Sequence, residues 1–360
     1  MSNTIHPGLE GILVAETRLS DVDGELGRLI IAGRDVESLR CPFEDVVFLL
    51  GLGGTEVPGH VPTTVERAAV REALGVGRVR AFERLPRLAL ERADAMGAVR
   101  AALAHLTTED PIEAIGAVAA FAAAWSRVAR GKAPIPPDPR LAHAADLLRM
   151  ITGGPADAAR VAALDAYLVT VSDHGMNAST FAARVITSTG AGLVAALVGA
   201  LGALEGPLHG GAPGPVLDML DAIGTPEHAV PWLESELAAG RRIMGMGHRI
   251  YRVRDPRAAV LERATLELEA AGVSTGRLAL ARAVERAAFG VLRERHPLRP
   301  LHANVEFYTA VLLDTLGVPR ELFTAVFAAA RTAGWCAHVA EHRATGRLIR
   351  PASRYIGLVP

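Results

Sequence analysis

Three stretches of this sequence place residues capable of acid–base chemistry beside glycines or in apolar surroundings. His209 lies in GPLHGGA (206–212), where glycines on both sides let the backbone approach a ligand closely. His248 lies in MGMGHRIYRVRDPRA (244–258), a glycine-bounded loop followed by four arginines. Glu306 lies in the apolar run HANVEFYTA (302–310), where burial would raise its pKa and suit it to general-base work. The three stretches therefore predict a site for proton transfer.

The composition favours a helical protein that holds such a site between two lobes. The chain has 360 residues, of which 50% are hydrophobic and only 4% aromatic, so its core must be built from Ala, Val and Leu. The formal net charge of −1 offers no global field for nucleic acid or a membrane surface. We therefore expect a mainly α protein with neither as its partner.

Cysteine usage and the N-terminus both favour a cytoplasmic location. Cys41 and Cys336 are the only cysteines, too few for a disulfide framework. The segment Met1–Gly11 has neither the basic nor the apolar region of a signal peptide.

One stretch, 185–204, is uncharged and about long enough to span a bilayer. It contains as much Gly, Ala, Ser and Thr as Leu and Val, and no second span could partner it. A helix buried in a subunit interface is the preferred interpretation.

The element pattern changes from strand to helix near residue 35. Residues 9–33 alternate apolar and polar side chains around an Asp-Val-Asp-Gly turn (21–24), which predicts a small β-hairpin. From Asp35 onward the period is helical, with breaks at 53–63, 131–139 and 153–155.

Two later segments have the residue order of helix starts. Thr225-Pro226-Glu227 and Asp255-Pro256-Arg257 each read as an N-cap followed by Pro, and the second helix should run to about Ala271. Anions bind at such helix ends. We also expect Pro213 and Pro215 to open a helix.

Two short motifs indicate other functions only weakly. His338-Val339-Ala340-Glu341-His342 matches the inverted zinc-protease signature, but no third ligand is suggested. The glycine-rich run at 51–59 lacks the strand–turn–helix setting of a dinucleotide site.

Seven blocks, in order and across nearly the whole chain, resemble the signatures of citrate synthases and 2-methylcitrate synthases. They are GLEGILVAETRLSDVDGELGRL, DHGMNASTFAAR, GPLHGGA, IMGMGHRIYRVRDPRA, NVEFY, ARTAGW and RLIRP. A single block is weak, whereas seven in the right order are specific.

The resemblance implies a role for each of three catalytic residues. His209 corresponds to the histidine that stabilises the enol of the thioester, and His248 to the one that polarises the ketone of oxaloacetate. Glu306 stands where the family has the aspartate that removes the α-proton, so the base is one methylene longer. A second departure is HGGAPGP in place of HGGANEA, with Pro213 and Gly214 replacing Asn and Glu.

The resemblance also implies the substrate-binding residues. The oxaloacetate-binding residues would be His174, Arg257, Arg331 and Arg350, with Arg350 reaching in from a second subunit. Arg252 would meet a CoA phosphate. No cofactor or metal is expected, since the CoA thioester is a substrate.

The implied architecture is a mainly α-helical homodimer with a small N-terminal β-hairpin. A large domain would comprise 1–211 and 313–360, and a small mobile domain 212–312, with active sites in the cleft between them. The expected function is citrate synthase, acting on acetyl-CoA and oxaloacetate. Two alternatives stay open: a 2-methylcitrate synthase that uses propionyl-CoA, and a low-activity paralogue that binds CoA and dicarboxylate.

Overall fold

The computed structural model describes residues 5–9, 11–53, 58–210, 213–298 and 300–358. Within these ranges the chain forms fourteen α-helices and one small antiparallel sheet, which confirms the mainly α prediction. The helices are α1 (Phe43–Leu49), α2 (Thr64–Glu83), α3 (Ala95–Leu103), α4 (Pro111–Ala129), α5 (His143–Thr152), α6 (Ala158–Val171), α7 (Ala178–Thr187), α8 (Leu193–Leu204), α9 (Pro213–Ile223), α10 (Ala229–Ala238), α11 (Pro256–Ala270), α12 (Arg277–Arg295), α13 (Val305–Thr315) and α14 (Phe323–Thr345).

The N-terminal hairpin is present, with its turn shifted from the predicted position. Strands β1 (Ser20–Asp23) and β2 (Arg28–Ile31) pair antiparallel, with Ser20 opposite Ile31. The turn spans 24–27 because Asp23 accepts the backbone N–H groups of residues 25 and 26. A third strand, β3 (Arg34–Asp35), lies where the sequence analysis placed the change from strand to helix, and it was not predicted.

The core is made of closely packed, alanine-rich helices around α4. This helix contacts α2, α3, α5 and α14. A Cβ added to Gly116 would lie 2.8 Å from the backbone nitrogen of Arg78, so α2 and α4 approach at backbone contact. By length and hydropathy α4 could cross a membrane, yet 83% of its apolar window is buried inside the folded chain.

The uncharged stretch 185–204 is not one continuous helix, contrary to the prediction. It is divided between the end of α7 and all of α8, with a turn between Thr187 and Leu193. The Glu109 carboxylate accepts the backbone N–H of Leu193 at 3.1 Å, which satisfies a free donor at the start of α8. Burial of this stretch in a subunit interface stays a prediction.

The predicted helix starts are confirmed in most details. Asp255 caps α11 by accepting the backbone N–H of Arg257, and Gly272, with φ of 81°, follows the end of that helix. Pro213 opens α9. After Thr225 the chain first makes a 3₁₀ turn, Pro226–His228, without a side-chain cap, and α10 begins only at Ala229.

The two-domain division stays a prediction. Its boundary between residues 312 and 313 falls inside α13. The boundary at 211 and 212 lies outside the described residues, as does that end of the GPLHGGA block.

Candidate active site

Most of the site residues lie at or near the ends of helices, and the fold brings these ends together. His174 follows α6, His209 follows α8, and His248 precedes α11. Arg257 lies in the first turn of α11, and Glu306 in the first turn of α13. Arg331 is buried in the middle of α14.

A short backbone ladder fixes the His248 loop against the start of α13. Met246 and Ala303 form an antiparallel bridge. The backbone N–H of Gly247 donates to the backbone carbonyl of His302 at 2.7 Å, and the side-chain amide of Asn304 donates to the backbone carbonyl of Gly247 at 2.9 Å. Because Asn304 also caps α13, this ladder sets the position of the His248 loop relative to the helix that carries Glu306.

Asp255 joins the two helix starts through one buried carboxylate. Its Oδ1 accepts the backbone N–H of Arg257 at 3.0 Å, and its Oδ2 accepts that of Val305, the first residue of α13, at 3.1 Å. The same carboxylate holds the Arg257 guanidinium through Nε at 3.0 Å and Nη2 at 2.8 Å. Burial would lower the pKa of Arg257, but the Asp255 carboxylate raises it above its usual value.

The hydrogen bonds of His248 fix its tautomer. Nδ1 accepts the backbone N–H groups of Ile250 and Tyr251, each at 3.1 Å. Burial and the neighbouring Arg257 lower the pKa of His248 to about 4, so the ring is neutral at neutral pH. Since Nδ1 accepts, the single ring proton lies on Nε2, which can donate to a substrate oxygen.

His174 lies beside His248, with ring centroids 5.7 Å apart at 78°. Its Nε2 lies 3.1 Å from the Tyr251 hydroxyl. Burial, followed by the charges of Arg257 and Arg331, holds the pKa of His174 well below its usual range. This histidine is therefore a neutral hydrogen-bonding group.

His209 is oriented through Ser179. The Ser179 hydroxyl lies 2.8 Å from His209 Nε2 and accepts the indole N–H of Trp335 at 3.1 Å. Its proton can go to His209 or to the side-chain oxygen of Asn177, and that oxygen already accepts two backbone N–H groups. Donation to His209 leaves the ring proton on Nδ1, which can then donate to a carbonyl oxygen. Burial, followed by the charge of Arg331, lowers the pKa of His209 to about 4.

Glu306 has the electrostatics expected of a general base. Burial raises its pKa to about 7, while the nearby Arg257 opposes that rise. Its backbone N–H donates to the side-chain oxygen of Asn304 at 3.0 Å, and no hydrogen bond to its carboxylate is found among the described residues. Its carboxylate is therefore free to take a proton. The sequence predicted a buried carboxylate with a raised pKa; in the fold the Glu306 side chain is partly buried and its pKa is raised.

Arg331 offers a buried donor to an anion. It is only 1% exposed, its Nε donates to the carbonyl of Val171 at 2.8 Å, and its guanidinium stacks on Phe327 at 4.7 Å. Its Nη2 has no protein acceptor among the described residues. Burial lowers its pKa to about 10, against the opposing charge of Asp173, so it remains a cation. A carboxylate would satisfy this donor.

Two of the residues assigned by resemblance have exposed side chains in this structure. The guanidinium of Arg252 is 3.9 Å from Glu25 of the hairpin, and both side chains are exposed. Arg350 is exposed in the segment after α14. Their roles toward CoA and toward a second subunit stay predictions.

The zinc-like motif in α14 is occupied by other partners. His338 Nδ1 accepts from Arg184 Nε at 3.0 Å, and His338 Nε2 lies 3.2 Å from Asp173. Glu341 pairs with Arg184, and His342 approaches the carbonyl of Arg347 at 3.2 Å. No group of three or more His, Cys, Asp or Glu side chains in the described ranges could hold a metal ion.

The sequence reasoning assigned no role to three residues of the site. Ser179 stands in the same block as His174, and Tyr251 three residues after His248, so their places near the histidines were available in the sequence. Asp255 was recognised only as a helix cap. Its contacts with Arg257 and with α13 depend on the tertiary structure.

Known proteins resemble the chain over almost its full length. The family profile described as "Citrate synthase, C-terminal domain" matches residues 8–352. The citrate synthase of Haloferax volcanii is 34% identical over 99% of this chain and 97% of its own length. A 2-methylcitrate synthase of Mycobacterium tuberculosis is 35% identical over 98% of this chain and 91% of its own length.

A solved structure extends the likeness to the fold. The citrate synthase of Thermoplasma acidophilum, solved in a ternary complex with carboxymethyl coenzyme A and oxaloacetate, superposes with a TM-score of 0.85 at 27% identity. The superposition covers 100% of this chain and 98% of that one. The chain therefore belongs to the citrate synthase family, whose members are acyltransferases.

Proposed function

We propose that this protein condenses acetyl-CoA with oxaloacetate and water to give citrate and CoA. The observation that carries the proposal is one site that holds a carboxylate with a pKa of about 7, Glu306, together with two histidines that stay neutral, His209 and His248. Such a set can remove one proton and donate two hydrogen bonds near neutral pH.

In the first step, Glu306 takes a proton from the methyl carbon of the thioester. That carbon is far too weakly acidic for a lone carboxylate to deprotonate it. The carbonyl oxygen of the thioester, which becomes the enol oxygen, must therefore be stabilised at the same time. His209 supplies this hydrogen bond from Nδ1, with Nε2 held by the Ser179 hydroxyl.

In the second step, the enol carbon attacks the ketone carbon of oxaloacetate and a carbon–carbon bond forms. The ketone oxygen becomes an alkoxide and receives the proton of His248 Nε2, and solvent returns a proton to the ring while Glu306 releases the one it took. Arg257 and Arg331 suit the two carboxylates, because a buried guanidinium binds a carboxylate with strong, directed hydrogen bonds. Water then hydrolyses citryl-CoA to citrate and CoA.

The proposal extends to a homodimer that binds CoA near Arg252. Its support is the exposed Arg350, together with the partly exposed apolar side chains Val194 and Val198 on α8. The mass of the protein in solution, measured by light scattering, tests the dimer.

Release of free thiol, measured with acetyl-CoA and propionyl-CoA in parallel, tests the function. We expect release that depends on oxaloacetate and is faster with acetyl-CoA. Faster release with propionyl-CoA would instead identify a 2-methylcitrate synthase. Binding of acyl-CoA by calorimetry without thiol release from either donor would identify the binding paralogue and refute the proposal.

A further inference from the structure

The hairpin turn packs directly against the segment that follows His248. The backbone N–H of Arg252 donates to the carbonyl of Gly24 at 2.9 Å. A Cβ added to Gly24 would lie 2.9 Å from the carbonyl carbon of Ile250 and closer still to its oxygen. At the other end of the turn, a Cβ on Gly27 would lie 3.3 Å from the carbonyl oxygen of Arg254. At Gly24, therefore, backbone meets backbone, whereas at Gly27 the nearest atom belongs to the Val253 side chain.

The peptide bond between Ile250 and Tyr251 links this contact to the catalytic histidine. Its carbonyl abuts Gly24, and its N–H donates to His248 Nδ1 at 3.1 Å. A trans peptide is rigid and planar, and its C=O and N–H point in opposite directions. A push on the carbonyl oxygen therefore tilts the N–H that holds the imidazole.

We propose that Gly24 is a positioning residue for His248, acting through this one peptide plane. The inference rests on the proposed function for the catalytic role of His248. Gly24 does not have the left-handed backbone conformation that favours glycine, so an alanine there is unstrained in itself. Glycine is needed because of the carbonyl across the contact.

The test is Gly24→Ala, with Gly154→Ala as its matched control. Gly154 also lacks the left-handed conformation, and a Cβ there would meet no atom within 4 Å. The first readout is the nitrogen-15 shift of the His248 ring at neutral pH, assigned with His248→Gln. We expect the chemical shift of His248 Nδ1 to change in Gly24→Ala and to keep its wild-type value in Gly154→Ala. If the signal does not move, the inference is wrong, whether or not the protein forms citrate.

The second readout separates positioning from general damage. We expect condensation by Gly24→Ala to fall ~10-fold or more, because a misplacement of about 1 Å can cost ~10²-fold. Exchange of the acetyl-CoA methyl protons with deuterium, at saturating non-condensing oxaloacetate analogue, should stay near the wild-type rate. Equal losses in both reactions would mean a purely structural role for Gly24. Failure of the wild-type protein to release thiol would refute the proposed function separately.

Discussion

Nη2 of Arg257 lies 3.4 Å from Nε2 of His248, and both atoms carry protons to donate. The histidine presents this proton because its Nδ1 accepts two backbone N–H groups, and Asp255 holds the arginine by two hydrogen bonds. Two donors at this separation converge on one acceptor oxygen. An oxaloacetate oxygen suits that position, because a ketone or a carboxylate accepts both hydrogen bonds.

Replacing either of the two histidines proposed as catalytic should remove most turnover. We expect His248→Ala and His209→Ala each to lower kcat by ~10²–10⁴-fold, since one proton or hydrogen-bond donor to the transition state is worth that much. Thiol release measures the loss. The exposed His228 supplies the control His228→Ala, and circular dichroism checks the fold. Near-native turnover by a folded His248→Ala would remove His248 from the mechanism.

Glu306→Gln should lose proton abstraction but keep oxaloacetate binding. The amide preserves the shape of the side chain and has no basicity. Deuterium exchange into acetyl-CoA with a non-condensing oxaloacetate analogue reports this step directly. Glu294→Gln, on the exposed face of α12, is the control. Exchange at the wild-type rate in Glu306→Gln would show that another group is the base.

Catalysis should decline below about pH 7, because the pKa of Glu306 is raised to about 7. The carboxylate is the active form, so kcat/KM should fall about tenfold per pH unit on the acidic side. Arg257 and Arg242 oppose this rise, and Asp255 adds to it. A profile measured from pH 5 to about 9 checks this limb. An activity independent of pH between about 5 and 7 would contradict it.

The same raised pKa has a consequence for stability. The folded protein binds the Glu306 proton more tightly than the unfolded chain does, so its contribution to stability is lost as pH rises from 4.5 through about 7. Glu306→Gln has no proton to lose and should gain stability, relative to wild type, between about pH 5.5 and 8. Chemical denaturation of the variant and of the wild type, at about pH 5.5 and at about pH 8, measures the difference in their free energies of unfolding.

Ser179→Ala should impair catalysis without removing a group that touches substrate. The variant removes the hydroxyl that holds His209 Nε2 and leaves the ring free to choose its tautomer. We expect kcat to fall by ~10-fold or more, with a smaller change in the KM for oxaloacetate. Ser235→Ala, at an exposed position of α10, is the control. An unchanged kcat would show that Ser179 does not orient the histidine.

Removal of metal ions should leave the activity unchanged. His338 and Glu341 are engaged by Arg184, and the proposed enol is stabilised by a hydrogen bond. Thiol release before and after dialysis against a chelator checks this. Stoichiometric zinc in the purified protein, together with activity lost on its removal, would restore the metal-site interpretation.

The sequence determined the local features of this protein, because neighbouring residues encode them. The Asp255-Pro256 pair starts α11, and Pro213 starts α9. The burial of Glu306 followed from the apolar side chains around it. Helix caps and alternating patterns act over a few residues, and for that reason they could be recognised without a structure.

The tertiary structure alone decided which of these features touch. Asp255 was predicted as the cap of one helix, and in the fold its carboxylate also accepts the first backbone N–H of a second helix, α13. Gly24 was predicted as part of a turn, and the fold presses it against Ile250. These partners lie far apart along the chain, and their contact depends on how the helices pack. A pattern within a short window carries no record of that packing.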